Sequence, residues 1–231
     1  MRPRIIYLLA VGLLLLAALA VAGNQTPVRP GPYLHPKLKA KEIKIQKVVA
    51  LPPIVSMTKQ GVKGSEGMSK EEDEASVGFA SRVSADLTSS GLSVEAPFTE
   101  EALKGNDELK YALADVQKKY DELAPKLYRK PKDVRKARFS LGDMVAVLNS
   151  KGTADALVIV RSQGVKMTKG KGMLTGGLIG LATTKNPTFT TYVVLVDAKN
   201  GDVLYLDEFL TSGIPKDKVF DKSFKKFVAP K

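Results

Sequence analysis

Few residue types in this chain could carry out covalent chemistry. The 231 residues include no cysteine and a single histidine, His35. A thiol nucleophile, a structural zinc site and a disulfide framework all depend on residue types that are missing here. His35 precedes Pro36 in a proline-rich stretch with no element to hold an imidazole in place, so we expect it to be a solvated linker residue.

Carboxylates are the other candidates for catalysis. Four of them cluster in the C-terminal part: Asp197, Asp202, Asp207 and Glu208. Acids beside turns and on solvent faces are common. The acidic run 71–74 matches a helix N-terminus, where negative charge is favoured. We therefore predict a protein that is not an enzyme and uses no cofactor or metal, with a carboxylate-dependent periplasmic enzyme as the alternative.

The N-terminus has the pattern of a secretory signal. Arg2 and Arg4 precede an apolar run over residues 5–21, and Ala20-Val21-Ala22 forms a small-residue cleavage site. An uncleaved anchor is the alternative, because an apolar run of about 17 residues is near the lower limit for spanning a bilayer. We predict that residues 1–22 are a signal peptide and that the protein is periplasmic or secreted, without lipid on a cysteine.

The chain is strongly basic, which restricts its partners. It has 36 Lys and Arg against 24 Asp and Glu, a formal charge of +12. Export argues against nucleic acid and favours an envelope protein, an anionic membrane surface or a cell-wall polymer. Residues 23–42 are rich in proline and lysine and are predicted to be a linker. The remainder, 43–231, is long enough for a single globular core.

Hydrophobic periodicity predicts an α/β fold for this domain. Strands are expected at 43–51, 92–98, 157–160, 192–196 and 203–206. Helices are expected around 69–90, 109–127, 141–148 and 215–228. The first two strands flank a helix and should be parallel, and Asn200-Gly201 between the last two indicates a hairpin. The prediction is one domain with a mixed sheet of about five strands flanked by helices.

A basic stretch is the first candidate contact surface. Between Lys126 and Arg138 the chain carries seven basic residues and one acidic residue, Asp133. On an exported protein such a stretch is a candidate contact for anionic surfaces, and an ordinary solvated face is the alternative. The basic residues are Lys126, Arg129, Lys130, Lys132, Arg135, Lys136 and Arg138.

A glycine-rich loop at 164–187 is the second candidate. It combines six glycines, five large apolar residues and four lysines with no acid, and it lacks the G-x-x-x-x-G-K-[ST] order of a nucleotide-binding loop. Exposed apolar residues flanked by lysines favour a membrane surface or an apolar groove on a partner. The alternative is a hairpin tip that folds back on its own sheet. The predicted contact residues are Lys169, Lys171, Met173, Leu174, Leu178, Ile179 and Leu181.

Four segments together resemble a known superfamily of bacterial envelope proteins. They are 47–53, 90–92, 154–160 and 194–204, and the resemblance covers roughly residues 43–228. It resembles the superfamily that includes the curli-secretion lipoprotein, the N-terminal domain of the Tol translocation protein, and lipoprotein activators of peptidoglycan synthases. The resemblance implies a non-enzymatic periplasmic module that binds proteins or assembles into an envelope complex, with a homo-oligomer as one form. Its secretion-channel members imply a further alternative, a component of an outer-membrane secretion or pore assembly.

Overall fold

A mixed sheet of eight strands forms the centre of the computed structural model, which describes residues 31–95, 98, 100–149, 152–168, 186–214 and 218–228. The strands are β1 (Tyr33–Leu34), β2 (Lys47–Ala50), β3 (Ile54–Gly61), β4 (Gly64–Gly67), β5 (Ser93–Glu95), β6 (Ala156–Met167), β7 (Thr188–Asp197) and β8 (Val203–Ser212). The helices are α1 (Pro36–Lys39), α2 (Ser69–Ser89), α3 (Glu100–Leu103), α4 (Asp107–Arg129), α5 (Val145–Leu148) and α6 (Asp221–Phe224), with a 3-10 helix at Pro131–Lys136.

The strand order confirms a single mixed α/β domain. The order is β1-β8-β7-β6-β2-β5, and β3 pairs with both β6 and β4. β2 is parallel to β5 and β6, whereas β7 is antiparallel to both of its neighbours, β6 and β8. The parallel pair on either side of α2 and the hairpin at Asn200-Gly201 are both as predicted. The sheet has eight strands rather than about five, because β1, β3 and β4 were not expected.

The proline pair after β2 interrupts a strand and does not end the sheet. β2 pairs with β6 up to Ala50, and beyond Pro52-Pro53 the chain pairs with β6 again from Ile54, opposite Arg161. Prolines lack the N–H that a ladder needs, so pairing stops there and resumes once donors return. The segment 54–67, for which the sequence predicts no strand, forms the β3–β4 hairpin.

Helices cover both faces of the sheet and enclose two apolar clusters. On one face Phe79 of α2, Phe224 of α6 and Phe220 just before α6 pack against the sheet. On the other face α4 packs Val116 and Leu127. Residues from β6 and β7 lie beneath α4 and are almost fully buried, as predicted for central strands: Leu157, Ile159 and Val194.

The C-terminal part of the expected linker, from residue 31 onward, is folded. Tyr33 pairs with Leu206 of β8, and the His35 N–H donates to the Leu204 carbonyl at 2.8 Å. His35 is only 3% exposed, so the expectation of a solvated residue is wrong. Its Nδ1 accepts from the Lys37 N–H at 3.2 Å and caps α1. Burial lowers the pKa of this imidazole below the ordinary value, although Asp202 opposes the shift.

The C-terminal helix is shorter than the spacing of its apolar residues predicts. α6 has four residues, yet Phe220, Phe224 and Phe227 are all buried against the α2 face. The buried Asp86 carboxylate of α2 accepts from the Phe220 N–H at 3.0 Å and ties this segment to the helix. None of the helices within the described ranges has the length and hydropathy of a membrane span. The predicted signal, 1–22, lies outside the described residues.

Candidate functional site

The basic stretch spans the last turn of α4 and the 3-10 helix, which hold it against the core. Leu127 and Val134 are fully buried within the stretch. The seven basic side chains predicted to contact an anionic surface are all exposed. The two buried residues therefore fix the backbone of the stretch, and the cations face solvent. We call the exposed cations of 126–138 the basic surface.

A cluster of tyrosines anchors the helix end that carries this surface. The Tyr128 ring stacks on Tyr192 of β7 with centroids 3.7 Å apart, and its hydroxyl lies 2.6 Å from the Tyr120 hydroxyl. Burial raises the pKa of Tyr120 and of Tyr128, so both stay neutral phenols. An ion pair between Arg161 of β6 and Asp121 adds a second link between sheet and helix. These contacts hold in place the end of the helix that carries the basic surface.

Most of the basic surface is not neutralised within the chain. Asp133 lies 3.6 Å from Lys136 and 3.8 Å from Arg138, both weak exposed contacts. The Arg135 guanidinium carbon lies 5.1 Å from the centre of the Tyr33 ring. Four cations have neither an ion-pair partner nor an aromatic ring contact within the described part of the chain: Lys126, Arg129, Lys130 and Lys132. The dipole at the C-terminus of α4 stabilises the positive charges of Lys126 and Arg129. It does not neutralise them, so both charges remain open to a ligand.

A recess of about 440 Å³ adjoins this surface. It is lined by Pro32, Leu34, Pro36, Lys39 and Arg135, so the β1–α1 segment and the 3-10 helix both contribute. Arg135 belongs to the predicted contact residues, but Lys39 does not. Sequence reasoning missed Lys39 because residues 31–42 were expected to be linker, and no pattern places that segment beside the 3-10 helix.

The C-terminal carboxylates fall at two places, with Asp207 in the core and Asp197 and Asp202 in the turn between β7 and β8. Asp207 is buried and accepts from the Ser223 hydroxyl at 2.8 Å and from the Lys226 ammonium at 3.4 Å. Glu208 follows it in β8 and points to the other face of the sheet. Asp197 accepts from the Lys199 N–H at 2.8 Å, and Asp202 accepts from the Asn200 amide at 3.1 Å, both within the hairpin turn. No cluster of His, Asp and Glu suited to a metal ion occurs among the residues that the structure describes.

An apolar groove of about 420 Å³ lies on the opposite helix layer. It runs between α2 and the carboxyl end of β2, the edge of a parallel sheet region where ligands commonly bind in open α/β folds. Val77, at its rim, is 72% exposed. The lining residues are Ala50, Leu51, Pro52, Pro53, Ser76, Val77, Ala80, Ser81, Val83, Ser84, Val94 and Phe98. Its chemistry suits apolar groups, in contrast to the basic surface.

The glycine-rich segment is shorter than the sequence indicates. β6 continues through Gly164 to Met167, so the first four residues of the expected loop belong to a strand, and β7 begins at Thr188, directly after its last residue. The remaining contact predictions fall at positions outside the described residues: Lys169, Lys171, Met173, Leu174, Leu178, Ile179 and Leu181.

Comparisons with known proteins find solved structures of low sequence identity and low TM-score. No protein-family model matches the chain, and no curated protein matches its sequence. Among solved structures, the PelC dodecamer from Paraburkholderia phytofirmans is 12% identical over 87% of this chain and 97% of its own, with a TM-score of 0.43. Lipoprotein GNA1162 from Neisseria meningitidis is 12% identical over 78% of this chain and 91% of its own, with a TM-score of 0.35.

A third similar structure is the LpoB C-terminal domain from Salmonella enterica. It is 8% identical over 78% of this chain and 95% of its own, with a TM-score of 0.26. TM-scores below 0.5 assign neither a family nor a function, which therefore have to be inferred from the chain's own surfaces.

Proposed function

We propose that this protein is an exported, non-enzymatic module of the cell envelope that acts by binding an anionic partner, either an envelope protein or a membrane surface. The basic surface supports this proposal most directly. Four of its cations lack an internal partner, and buried residues and stacked tyrosines hold its backbone in place. Little conformational freedom has to be lost when such a surface binds, which favours affinity.

The hydrogen bonds of the candidate carboxylates favour binding over catalysis. Asp207 is committed to Ser223 and Lys226 in the core, and Asp197 and Asp202 are committed to the turn that joins β7 and β8. A general acid and a general base have to reach the same substrate. Asp207 is therefore held apart from Asp197 and Asp202, whose carboxylates accept hydrogen bonds within their own turn.

Two further features belong to the same proposal. The apolar residues of the glycine-rich segment would add a second contact with a membrane or a partner groove. Assembly with envelope proteins or with further copies of the chain would bring several basic surfaces onto one anionic target and so raise the overall affinity. Both features depend on export to the periplasm, as the N-terminal sequence predicts.

A charge-reversal experiment tests the proposal. One variant replaces the four unpartnered cations (K126E/R129E/K130E/K132E), and a matched control replaces four exposed lysines elsewhere (K59E/K63E/K70E/K199E). Both lower the formal charge equally, and exposed substitutions of this kind usually change stability by no more than about 0.5 kcal/mol. The readout is capture of partners and lipid from envelope extract by the tagged protein.

We expect the first variant to lose capture and the control to retain it. The loss should resemble the effect of added salt on the unmodified protein, because contacts between exposed charges are screened. Capture by the first variant equal to that of the unmodified protein would contradict the proposal. Equal losses in both variants would show a dependence on net charge and not on this surface.

A further inference from the structure

The recess beside the basic surface combines two kinds of chemistry. Three of its lining residues are apolar, Pro32, Leu34 and Pro36, and two are exposed cations, Lys39 and Arg135. A ligand that matches this lining has an anionic group bonded to an aliphatic part. With a volume of about 440 Å³, the recess has room for a headgroup and the first carbons attached to it.

Arg135 is held in place before any ligand arrives. Its guanidinium carbon lies 5.1 Å from the centre of the Tyr33 ring, and that ring is itself buried in the β1 contact with β8. A stacked guanidinium offers its planar fork with little further loss of freedom, and this fork matches two oxygens of a phosphate. Neither Arg135 nor Lys39 has an ion-pair partner among the described residues, so both charges are open to a ligand.

The recess also lies where the chain enters the domain. Pro32 follows Gly31, the first described residue, and the eight residues 23–30 separate Gly31 from the predicted apolar signal. A fully extended chain of that length spans at most about 28 Å, so a signal retained as an anchor would keep this entry point near the bilayer. Cleavage after Ala22 instead leaves an N-terminal ammonium and Arg29 in these residues. A retained anchor would thus bring the recess within reach of lipid, and cleavage would add an ammonium to the sequence that precedes it.

From these observations we infer that the recess binds the phosphate of an anionic phospholipid headgroup, and that this contact turns the basic surface toward the membrane. The inference rests on the proposed function, because it identifies the anionic partner of the same face. Free phosphate shares the headgroup's chemistry. An acidic protein is a different class of partner and would not need the apolar lining.

Vesicle binding tests the inference. The protein is purified from the envelope fraction, and its N-terminus is determined by mass spectrometry. Partition is then measured with vesicles of phosphatidylcholine alone and with vesicles containing equal parts of phosphatidylglycerol and phosphatidylcholine. A retained apolar anchor would bind both kinds of vesicle, so the ratio of the two partition coefficients reports the anionic contact.

The K39A/R135A variant should lower this ratio by about 30-fold, the factor expected for two cations at an anionic surface. The control K59A/K63A removes the same charge from the exposed β3–β4 hairpin and should lower it by less than about 3-fold. R135K keeps the charge but loses the planar guanidinium. Its partition ratio should therefore lie between those of the two double variants. If K39A/R135A has a lower melting temperature than the unmodified protein, K39Q/R135Q replaces it, because glutamine retains part of the aliphatic stem. Its partition ratio is then compared with that of the control.

Four results would overturn the inference. Equal losses in the two double variants would mean that only net charge matters. A ratio near one for the unmodified protein would mean that the recess does not recognise phosphatidylglycerol, whereas the proposed function would still stand on the capture experiment. Saturable binding of inorganic phosphate with the same dependence on Lys39 and Arg135 would assign the recess to free phosphate. Unchanged vesicle binding with lost capture of an envelope protein would assign it to a protein partner.

Discussion

Replacement of Gly164 by alanine should destabilise the domain through one crowded contact. Gly164 lies in β6 between Met57 of β3 and Phe189 of β7. A Cβ atom at this position would lie 2.5 Å from Cε1 of Phe189 and 3.0 Å from Cγ of Met57. Phe189 cannot easily move away, because it is fully buried and packs edge to face on Phe79 with centroids 5.3 Å apart.

The expected loss of stability follows from two opposing effects. Overpacking a core site costs about 1–3 kcal/mol. Alanine recovers about 0.5–1 kcal/mol in a strand, since it loses less conformational freedom on folding than glycine. The net loss should be about 1–2 kcal/mol. For a domain of this size that corresponds to a melting temperature lower by about 2–8 °C.

Thermal and urea unfolding of three variants test this reasoning. Gly67→Ala is the matched control, because no atom lies within 4 Å of a Cβ there, and its stability should be unchanged or slightly higher. Phe189→Leu removes the ring atom that the new methyl would meet. Gly164→Ala should therefore cost less in that background than in the unmodified protein. The reasoning would be refuted if Gly164→Ala were as stable as the control, or if its cost did not depend on Phe189.

Three other predictions concern the core, the pH dependence and the glycine-rich segment. Leu157→Asp should cost several kcal/mol in urea unfolding because it leaves a charge in apolar surroundings, whereas Val77→Asp, at a position 72% exposed, should cost little. Burial lowers the pKa of His35 below 6.5, so the free energy of unfolding should hold steady above pH 6.5 and fall below it; His35→Asn, which keeps a capping acceptor, should remove that part of the fall. The triple replacement L174S/L178S/I179S should fold almost normally and reduce liposome flotation or partner capture, whereas an unfolded product would show that the segment is part of the core.

The central strands were predictable because their sequence pattern is strong. Leu157 to Val160 form a continuous apolar run, and this portion of β6 is buried on both faces. The same holds for Val193 to Val196 of β7. Asn200-Gly201 gave the hairpin, since Gly201 has a φ of 77° that few other residues adopt without strain. Such patterns reflect burial, so they identify the parts of the sheet that helices cover.

The strands that sequence reasoning missed are the exposed or very short ones. All four residues of β4 are exposed, and β3 beyond Met57 has mainly polar or glycine residues. Pairing with β6 defines these strands, and backbone pairing leaves no hydrophobic period to detect. β1 has two residues, fewer than any periodic pattern needs. Its place in the sheet depends on β8, which is distant in sequence.

The candidate site was likewise predictable in one part and not in the other. Charge density alone was enough to select 126–138, since a run of cations is visible without any knowledge of the fold. The recess required a contact between the β1–α1 segment and the 3-10 helix, about 100 residues apart in sequence. No pattern in the sequence therefore indicates that Lys39 belongs to the site.

The two surfaces on opposite helix layers differ in the force that would drive binding. Contacts of the basic surface are electrostatic and exposed, so they should weaken as the Debye length falls to about 8 Å at physiological ionic strength and shorter above it. The groove beside α2 is lined mainly by apolar atoms, and burial of such atoms is nearly independent of salt at moderate concentration. A partner released by salt therefore belongs to the basic surface, and one that resists salt belongs to the groove. Salt dependence can thus separate the two surfaces before any residue is replaced.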